Sequence, residues 1–323
     1  MEQGSRVRMN DASKGRLDQA IALASVGVSV TVTVVMVVYH TGQPLNESIR
    51  RVLADPDVDE FVLIDNGSSA DEIRLVDDAA ERDPRMTVLR GQGNVGFARA
   101  VNMGVRIARG DIIVVLNPDA YLEKNCVRAL HRALKGRGKP TLVGARVMNV
   151  DGSEQRGARR GEVTPVTSLL SLTGLAKMVP ALQGFEVHHE DDPAPLRGLS
   201  VPTISGACFA IRRSDFLALG GFDTAFFLHV EDVDLCWRIR QCGGDVLFEP
   251  RAQVVHLGST SKSWPMKVEF WKGVGLARYF RKRANNLPRR ALAVTLTPII
   301  ILVSILRPIL RGQLLKSRGG LRF

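Results

Sequence analysis

From residue 30 to residue 147 the chain alternates two kinds of apolar pattern. Unbroken apolar runs of strand length are separated by stretches whose apolar residues recur every three or four positions. Val30–Tyr39 is rich in β-branched residues, as a strand buried on both faces requires. Leu45–Leu53 places Ile49, Val52 and Leu53 on one side of a helix. Glu60–Ile64 predicts a second strand, Ala70–Arg82 a helix and Met86–Leu89 a strand. Gly96–Ala108 then predicts a helix, Asp111–Leu116 a strand and Leu122–Leu134 a helix. The alternation predicts an α/β fold with a mostly parallel sheet covered on both faces. Such sheets bind ligands at the carboxyl ends of their strands, where Asp65–Ser69 and Asn117–Asp119 fall.

The later chain is less regular. Asp151-Gly152 signals a hairpin turn, Thr167–Val179 is apolar and Ser/Thr-rich, and His188–Pro195 is an acidic loop. Val201–Arg212 is expected to return to the sheet, and Asp245–Phe248 and Gln253–His256 read as two short strands. Trp264–Arg283 predicts a basic, aromatic helix. These patterns divide the chain into a polar, mobile leader (1–29), a main domain (30–262) and a basic, apolar tail (263–323). Within the main domain, residues 30–120 and 121–262 form two halves.

Two segments invite a membrane reading. Ala20–Tyr39 is uncharged and long enough to span, but its β-branched second half and the amphipathic stretch after it read as a first strand. Ala291–Leu306 is short for a span, is interrupted by Pro298, and lies between basic clusters that include Arg289, Arg290 and Arg307. Such a segment suits the cytoplasmic face of an anionic membrane, a core helix docked on the domain or, as the least favoured reading, a full span. The formal charge of +11, from 44 Lys and Arg against 33 Asp and Glu, also asks for an anionic partner. Nucleic acid is not expected, because the basic residues gather around an apolar tail without interleaved stacking aromatics. Cys126, Cys208, Cys236 and Cys242 lack metal or redox spacing and read as reduced, buried thiols of a cytosolic protein.

Candidate chemistry is concentrated in three places. Gly220–Arg238 sets Glu231, Asp232 and Asp234 after an apolar run at a helix start. Acids there either tune a general base or complement the helix dipole. Asn117-Pro118-Asp119 offers oxygen ligands that suit Mg²⁺ or Mn²⁺ on phosphates, and it is equally a common turn. His256 ends a strand, where imidazole is either structural or a Mn²⁺ ligand.

The order of VVMVVYH, IDNGSS, GNVGFARAVNMGV, VVLNPDA, SGACFAIRRSDFLALGGFDTAFFLHVEDVDLCWRI and VVHLGSTS is more specific than any one part. In that order the chain resembles a family 2 glycosyltransferase of the rhamnosyltransferase-like branch, over Val30–Ser261. The resemblance implies a GT-A fold, a nucleotide-diphosphate sugar donor, a divalent metal (Mn²⁺ or Mg²⁺) and inversion at the anomeric carbon. It implies that Tyr39, His40, Asp65, Asn66, Asn94, Gly96, Arg99 and Asn117 line the nucleotide-sugar pocket. Asp119 and His256 would hold the metal, with Asn117 standing where the family's Asp-x-Asp element has its first acid. Asp232 would be the base, Glu231 the second candidate, and Asp234 a structural acid. The implied acceptor is a lipid-linked (polyprenyl-diphosphate) or polysaccharide hydroxyl in cell-envelope synthesis, reached from the cytoplasmic side of the membrane. The replaced first acid leaves a second possibility, a non-catalytic nucleotide-sugar-binding scaffold in a glycan-assembly complex.

Overall fold

The computed structural model describes residues 30–258, 260 and 264–310. The leader and the last residues of the tail lie outside them. Chain order begins with β1 (Val32–Val38), α1 (Pro44–Ala54), β2 (Glu60–Asp65), α2 (Ala70–Arg82), β3 (Met86–Leu89), α3 (Phe97–Ile107) and β4 (Ile112–Leu116). It continues with β5 (Ala120–Leu122), α4 (Cys126–Leu134), β6 (Thr141–Met148), β7 (Arg159–Arg160), α5 (Pro165–Thr173) and α6 (Leu175–Met178). A 3-10 turn, Pro180–Phe185, leads to β8 (Leu199–Ser200), β9 (Thr203–Ile204), β10 (Cys208–Arg212) and α7 (Arg213–Ala218). The described chain closes with α8 (Glu231–Gln241), β11 (Asp245–His256), α9 (Pro265–Arg283) and α10 (Leu287–Leu310).

One sheet runs β3-β2-β1-β4-β10-β6-β11-β5, with β8 on β11. The first four strands are parallel, and β6 and β11 are parallel to each other. β10 is antiparallel to both β4 and β6, so six strands point one way and β5, β8 and β10 the other. Every residue of β1, β2 and β4 is buried, which accounts for their unbroken apolar runs. Helix α2 starts where the sequence predicts because Ser69 and Glu72 form a reciprocal cap.

Two expectations change. Residues 120–122 form the edge strand β5, so the helix begins only at Cys126. The two short strands after residue 245 are one strand, β11, with a bulge between Glu249 and Gln253. Pro250 lies within it and has no N–H for a ladder, which is why the register shifts there. Three of the cysteines are buried, but Cys242 is exposed because it follows the last turn of α8. All four are free thiols.

The main core covers the sheet. A second apolar cluster joins Phe226, Val230 and Val233 to Leu276, Tyr279 and Phe280 of α9 and to Ala293 and Ile300 of α10. Helix α10 is continuous through Pro298, and Leu287–Pro308 is long and apolar enough to cross a membrane, which corrects the reading of this segment as too short.

Candidate active site

Two strand ends meet through the register of β5 on β11, which pairs His256 with Ala120 and so sets the ring beside Asp119. His256 Nε2 lies 3.1 Å from Asp119 Oδ1 and 3.3 Å from Asn117 Nδ2. The Thr260 hydroxyl donates to Asp119 Oδ2 at 2.9 Å. On the ring's other side, Nδ1 lies 2.6 Å from Gln155 Oε1. The Gln155 amide is fixed by its Nε2, which donates to the His256 carbonyl (3.0 Å) and to Asn149 Oδ1 (3.2 Å). Oε1 can only accept, so it draws the ring proton to Nδ1. That leaves the Nε2 lone pair beside the Asn117 amide and the Asp119 carboxylate, where the ring nitrogen and the carboxylate oxygen can ligate one cation together. Burial works to raise the Asp119 carboxyl, but the His256 ring and the Thr260 hydroxyl outweigh it and hold it below its ordinary range. One oxygen and one nitrogen donor suit Mn²⁺ or a similar ion, with further positions left for phosphate and water. Among the described residues no third His, Cys, Asp or Glu completes the set.

The second part of the site is the start of α8. His229 (φ 66°) and Val230 (φ 72°) both adopt the left-handed conformation immediately before it. That conformation is strained for a β-branched residue and persists only where the surroundings enforce it. Here Val230 packs in the second apolar cluster, and Gly275 of α9 comes so close that an added Cβ would stand 3.1 Å from the His229 carbonyl. Asp232 follows this strained pair, its side chain 13% exposed, and its Oδ2 accepts from Arg160 Nη2 (2.7 Å) and from the Gly206 N–H (3.0 Å). Its Oδ1 accepts from the Val233 N–H at 2.8 Å. The next residue, Ala207, accepts from the Asn117 N–H at 2.9 Å, so residues 206–207 link Asp232 to the Asn117–Asp119 turn.

The neighbouring acids differ. Glu231 is buried, its Oε2 has no partner, and burial first and the Asp232 charge second push its carboxyl up to about 8. At neutral pH it therefore holds its proton. Asp234 is fully buried and paired with Arg238 Nε and Lys282 Nζ, both at 2.8 Å. Arg238 also donates to the Leu219 and Gly221 carbonyls, and Gly221 has φ 68° with no room for a Cβ beside Asn102. Much of the Gly220–Arg238 pattern is thus a brace for the loop that carries the acids.

The third part lies at the ends of β1 and β2. Asn66 donates to Asn94 Oδ1 (3.4 Å) and to the Gly96 carbonyl (3.3 Å). Asn94 Oδ1 also accepts from the Gly96 N–H at 3.1 Å. Asp65 Oδ1 accepts from the Gly67 N–H (3.0 Å), Arg90 stands 3.9 Å from Oδ2, and Gln92 donates to the Asp65 carbonyl. The Tyr39 ring packs edge-on against His40 and against the space above Gly67. Gly96 has φ 84°, and a Cβ would strike the Phe227 carbonyl at 2.7 Å, so this glycine joins the Asn66–Asn94 cluster to the acid-bearing loop. Arg99 is exposed on the first turn of α3, outside these hydrogen-bonded groups. A cleft of about 630 Å³ opens between α4 and β11, lined by Lys124, Arg132 and Arg251, and shares no residue with the site.

Sequence reasoning passes over Gln155, Arg160, Gly206 and Thr260. Thr260 lies inside the VVHLGSTS stretch and Gly206 in SGACFA, but nothing local marks Gln155 or Arg160, whose partners are distant in sequence.

A sheet whose first four strands are parallel, an Asp-bearing turn at a strand end and an acid-bearing helix start match a GT-A glycosyltransferase fold. The chain belongs to glycosyl transferase family 2, whose model matches residues 33–220. It is therefore a transferase that uses a nucleotide-sugar donor. It is 27% identical over 234 residues to N-acetylglucosaminyl-diphospho-decaprenol L-rhamnosyltransferase of Mycobacterium tuberculosis, covering 69% of this chain and 74% of that one. It is 26% identical over 219 residues to the low-salt glycan biosynthesis hexosyltransferase Agl10 of Haloferax volcanii, covering 64% and 61%. Its fold resembles that of the mannosyltransferase PcManGT of Pyrobaculum calidifontis, solved with GDP-Man and Mn²⁺ (TM-score 0.56, 17% identity, 91% of this chain and 81% of that one). It also resembles GalNAc-T7 solved with UDP, GalNAc and Mn²⁺ (TM-score 0.56, 20% identity), covering 81% of this chain and 52% of that one.

Proposed function

We propose that the protein moves a sugar, with inversion, from a nucleotide-diphosphate sugar to a hydroxyl of a polyprenyl-diphosphate-linked saccharide at the cytoplasmic side of a membrane. The observation that carries the reading is the link from the Asp119–His256 pair through residues 206–207 to Asp232. The relative in Mycobacterium tuberculosis, named for a diphospho-decaprenol acceptor, supports the acceptor class.

Asp232 is the base in this reading. The acceptor oxygen forms its bond to the anomeric carbon as the bond to the donor's diphosphate breaks, and the hydroxyl proton passes to Asp232. The bonds from Arg160, Gly206 and Val233 fix the carboxylate's direction, leaving lone-pair room for that proton. Burial and the Asp232 charge favour the protonated form of Glu231, which makes it the poorer proton acceptor. Asp119 and His256 would hold a divalent ion, which when bound offsets the charge developing on the leaving diphosphate. Asp65, Asn66, Asn94, Gly96, Tyr39 and His40 would shape the nucleotide end of the pocket, with Asn117 between nucleotide and metal and Arg99 at its rim.

The test is a screen of purified protein against nucleotide sugars with Mn²⁺ or Mg²⁺, reading nucleotide diphosphate release with and without a diphospholipid-linked saccharide. At least one donor should be turned over, and faster with acceptor. If none is turned over under either condition, the catalytic reading fails.

A further inference from the structure

We propose that α10 lies in the plane of an anionic membrane surface, with its outer apolar face seated in the lipid and both its ends on the same side as the active site. The inference rests on the membrane-acting reading above. Residues 291–306 contain no charged side chain. One side of the helix packs inward through Ala293, Ile300 and Ser304, at seven- and four-residue spacing. The other side leaves Leu292, Val294, Ile299, Leu302 and Leu306 between 38% and 59% exposed, an apolar stripe several turns long. Beside it, the segment of α5, α6 and the 3-10 turn exposes Leu175, Met178 and Phe185, and α5 packs against α10.

The packing against α9 decides between lying on the bilayer and crossing it. Gly273 brings the two helices together so closely that a Cβ there would stand 3.0 Å from Ile301 Cα. Arg307, near the far end of α10, is paired with Glu269 in the first turns of α9 at 3.0 Å. The two helices therefore run side by side over most of their length. If α10 crossed a bilayer in this arrangement, α9 would have to enter with it, carrying Lys267, Glu269, Lys272, Arg278 and Lys282. Burying those charges in hydrocarbon is prohibitive, whereas a helix in the interfacial plane keeps α9 on the aqueous side. The exposed Arg289 and Arg290 at the start of α10 give the charge complementarity that selects an anionic surface. Helix α9, one layer about 8–10 Å thick, separates that surface from His229–Val230 and the acids, since Gly275 touches both residues. A sugar on a membrane-held diphosphate is thereby presented close to Asp232.

The experiment uses the full chain and vesicles of phosphatidylcholine with or without about one third phosphatidylglycerol, a content sufficient for an appreciable surface charge. The natural protein should sediment with the anionic vesicles, and the Leu292→Glu/Ile299→Glu/Leu302→Glu variant should lose at least about tenfold in partitioning. That variant should keep its donor turnover in water. The single variant Arg289→Glu, at an exposed position, should bind several-fold more weakly to the anionic vesicles, with a smaller dependence on salt. In membrane vesicles whose cytoplasmic face is outward, added protease should remove a C-terminal tag along with the catalytic domain. Equal sedimentation of the triple variant overturns the proposal, as does a tag protected inside the vesicle. Lipid-independent dimers that dissociate in the triple variant would assign the face to a second copy instead. Failure of donor turnover in the natural protein would strike the catalytic reading and leave the vesicle result standing.

Discussion

The two sides of the active site are built by opposite means. The side proposed to hold the nucleotide is a parallel sheet with buried apolar strands, and its polar groups sit at strand ends where any such sheet places them. The side that carries the acids is a loop in a strained conformation, held by a buried ion-pair cluster, close glycines and a helix from the end of the chain. The first side is robust because burial alone dictates it. The second depends on a few long-range polar contacts, so single substitutions there should have larger and more specific effects.

The largest effect follows from breaking the brace. Asp234→Ala removes the buried carboxylate that Arg238 and Lys282 share, while Lys282 keeps Asp223 and Arg238 keeps two carbonyls; it should cost about 1.5–3 kcal/mol of stability, read by denaturant unfolding. A loss below about 1 kcal/mol would show that the loop does not depend on this cluster. Next, Gln155→Leu frees the Nδ1 proton of His256, and should weaken Mn²⁺ affinity in the presence of nucleotide diphosphate by about 10–100-fold, measured by calorimetry. Unchanged affinity would separate the ring's tautomer from metal binding. Gly96→Ala forces both an unfavourable φ and a clash with the Phe227 carbonyl. It should cost about 1–3 kcal/mol and raise the donor KM, because it disturbs the seam between the two sides.

A pH dependence tests the same loop without disturbing its packing. The Glu231 carboxyl is raised from 4.5 to about 8 in the folded protein. Its contribution to stability is therefore complete below pH 4.5 and is lost as pH rises through 8. Glu231→Gln removes that loss, so the variant's Tm should exceed that of the natural protein at pH 9 by more than it does at pH 5. Burial lowers His229 to about 4, which destabilises both proteins alike as pH falls and cancels in the comparison. A constant Tm difference across this range would refute the raised carboxyl.

The contrast also explains what could be read from the sequence. Strands and helices up to Leu116 follow from periodicity, and α2 and β3 begin and end at the predicted residues. Asp65, Asn117 and Asp119 were visible because strand ends are local features. β5 was missed because a three-residue edge strand has no period of its own. Gln155 and Arg160 were silent because their partners lie 101 and 72 residues away, and no local pattern encodes such a contact. The motif series singled out Gly220–Arg238 as a unit. The resemblance already ranks its three acids, and the geometry supplies what differs among them: Asp232 pairs with Arg160, Glu231 is buried with its carboxyl raised, and Asp234 is buried between Arg238 and Lys282.

The central claim is that these three acids have three different roles, and the direct measurement is the transfer rate of Asp232→Asn beside Glu231→Gln. Both are assayed on the donor identified by the screen at neutral pH, with circular dichroism as the check on folding. Asp232→Asn should lose about 10²–10⁴-fold while remaining folded, and Glu231→Gln should stay within about tenfold of the natural protein, since its carboxyl is already neutral. The reverse order of losses, or near-natural transfer by Asp232→Asn, would contradict the account.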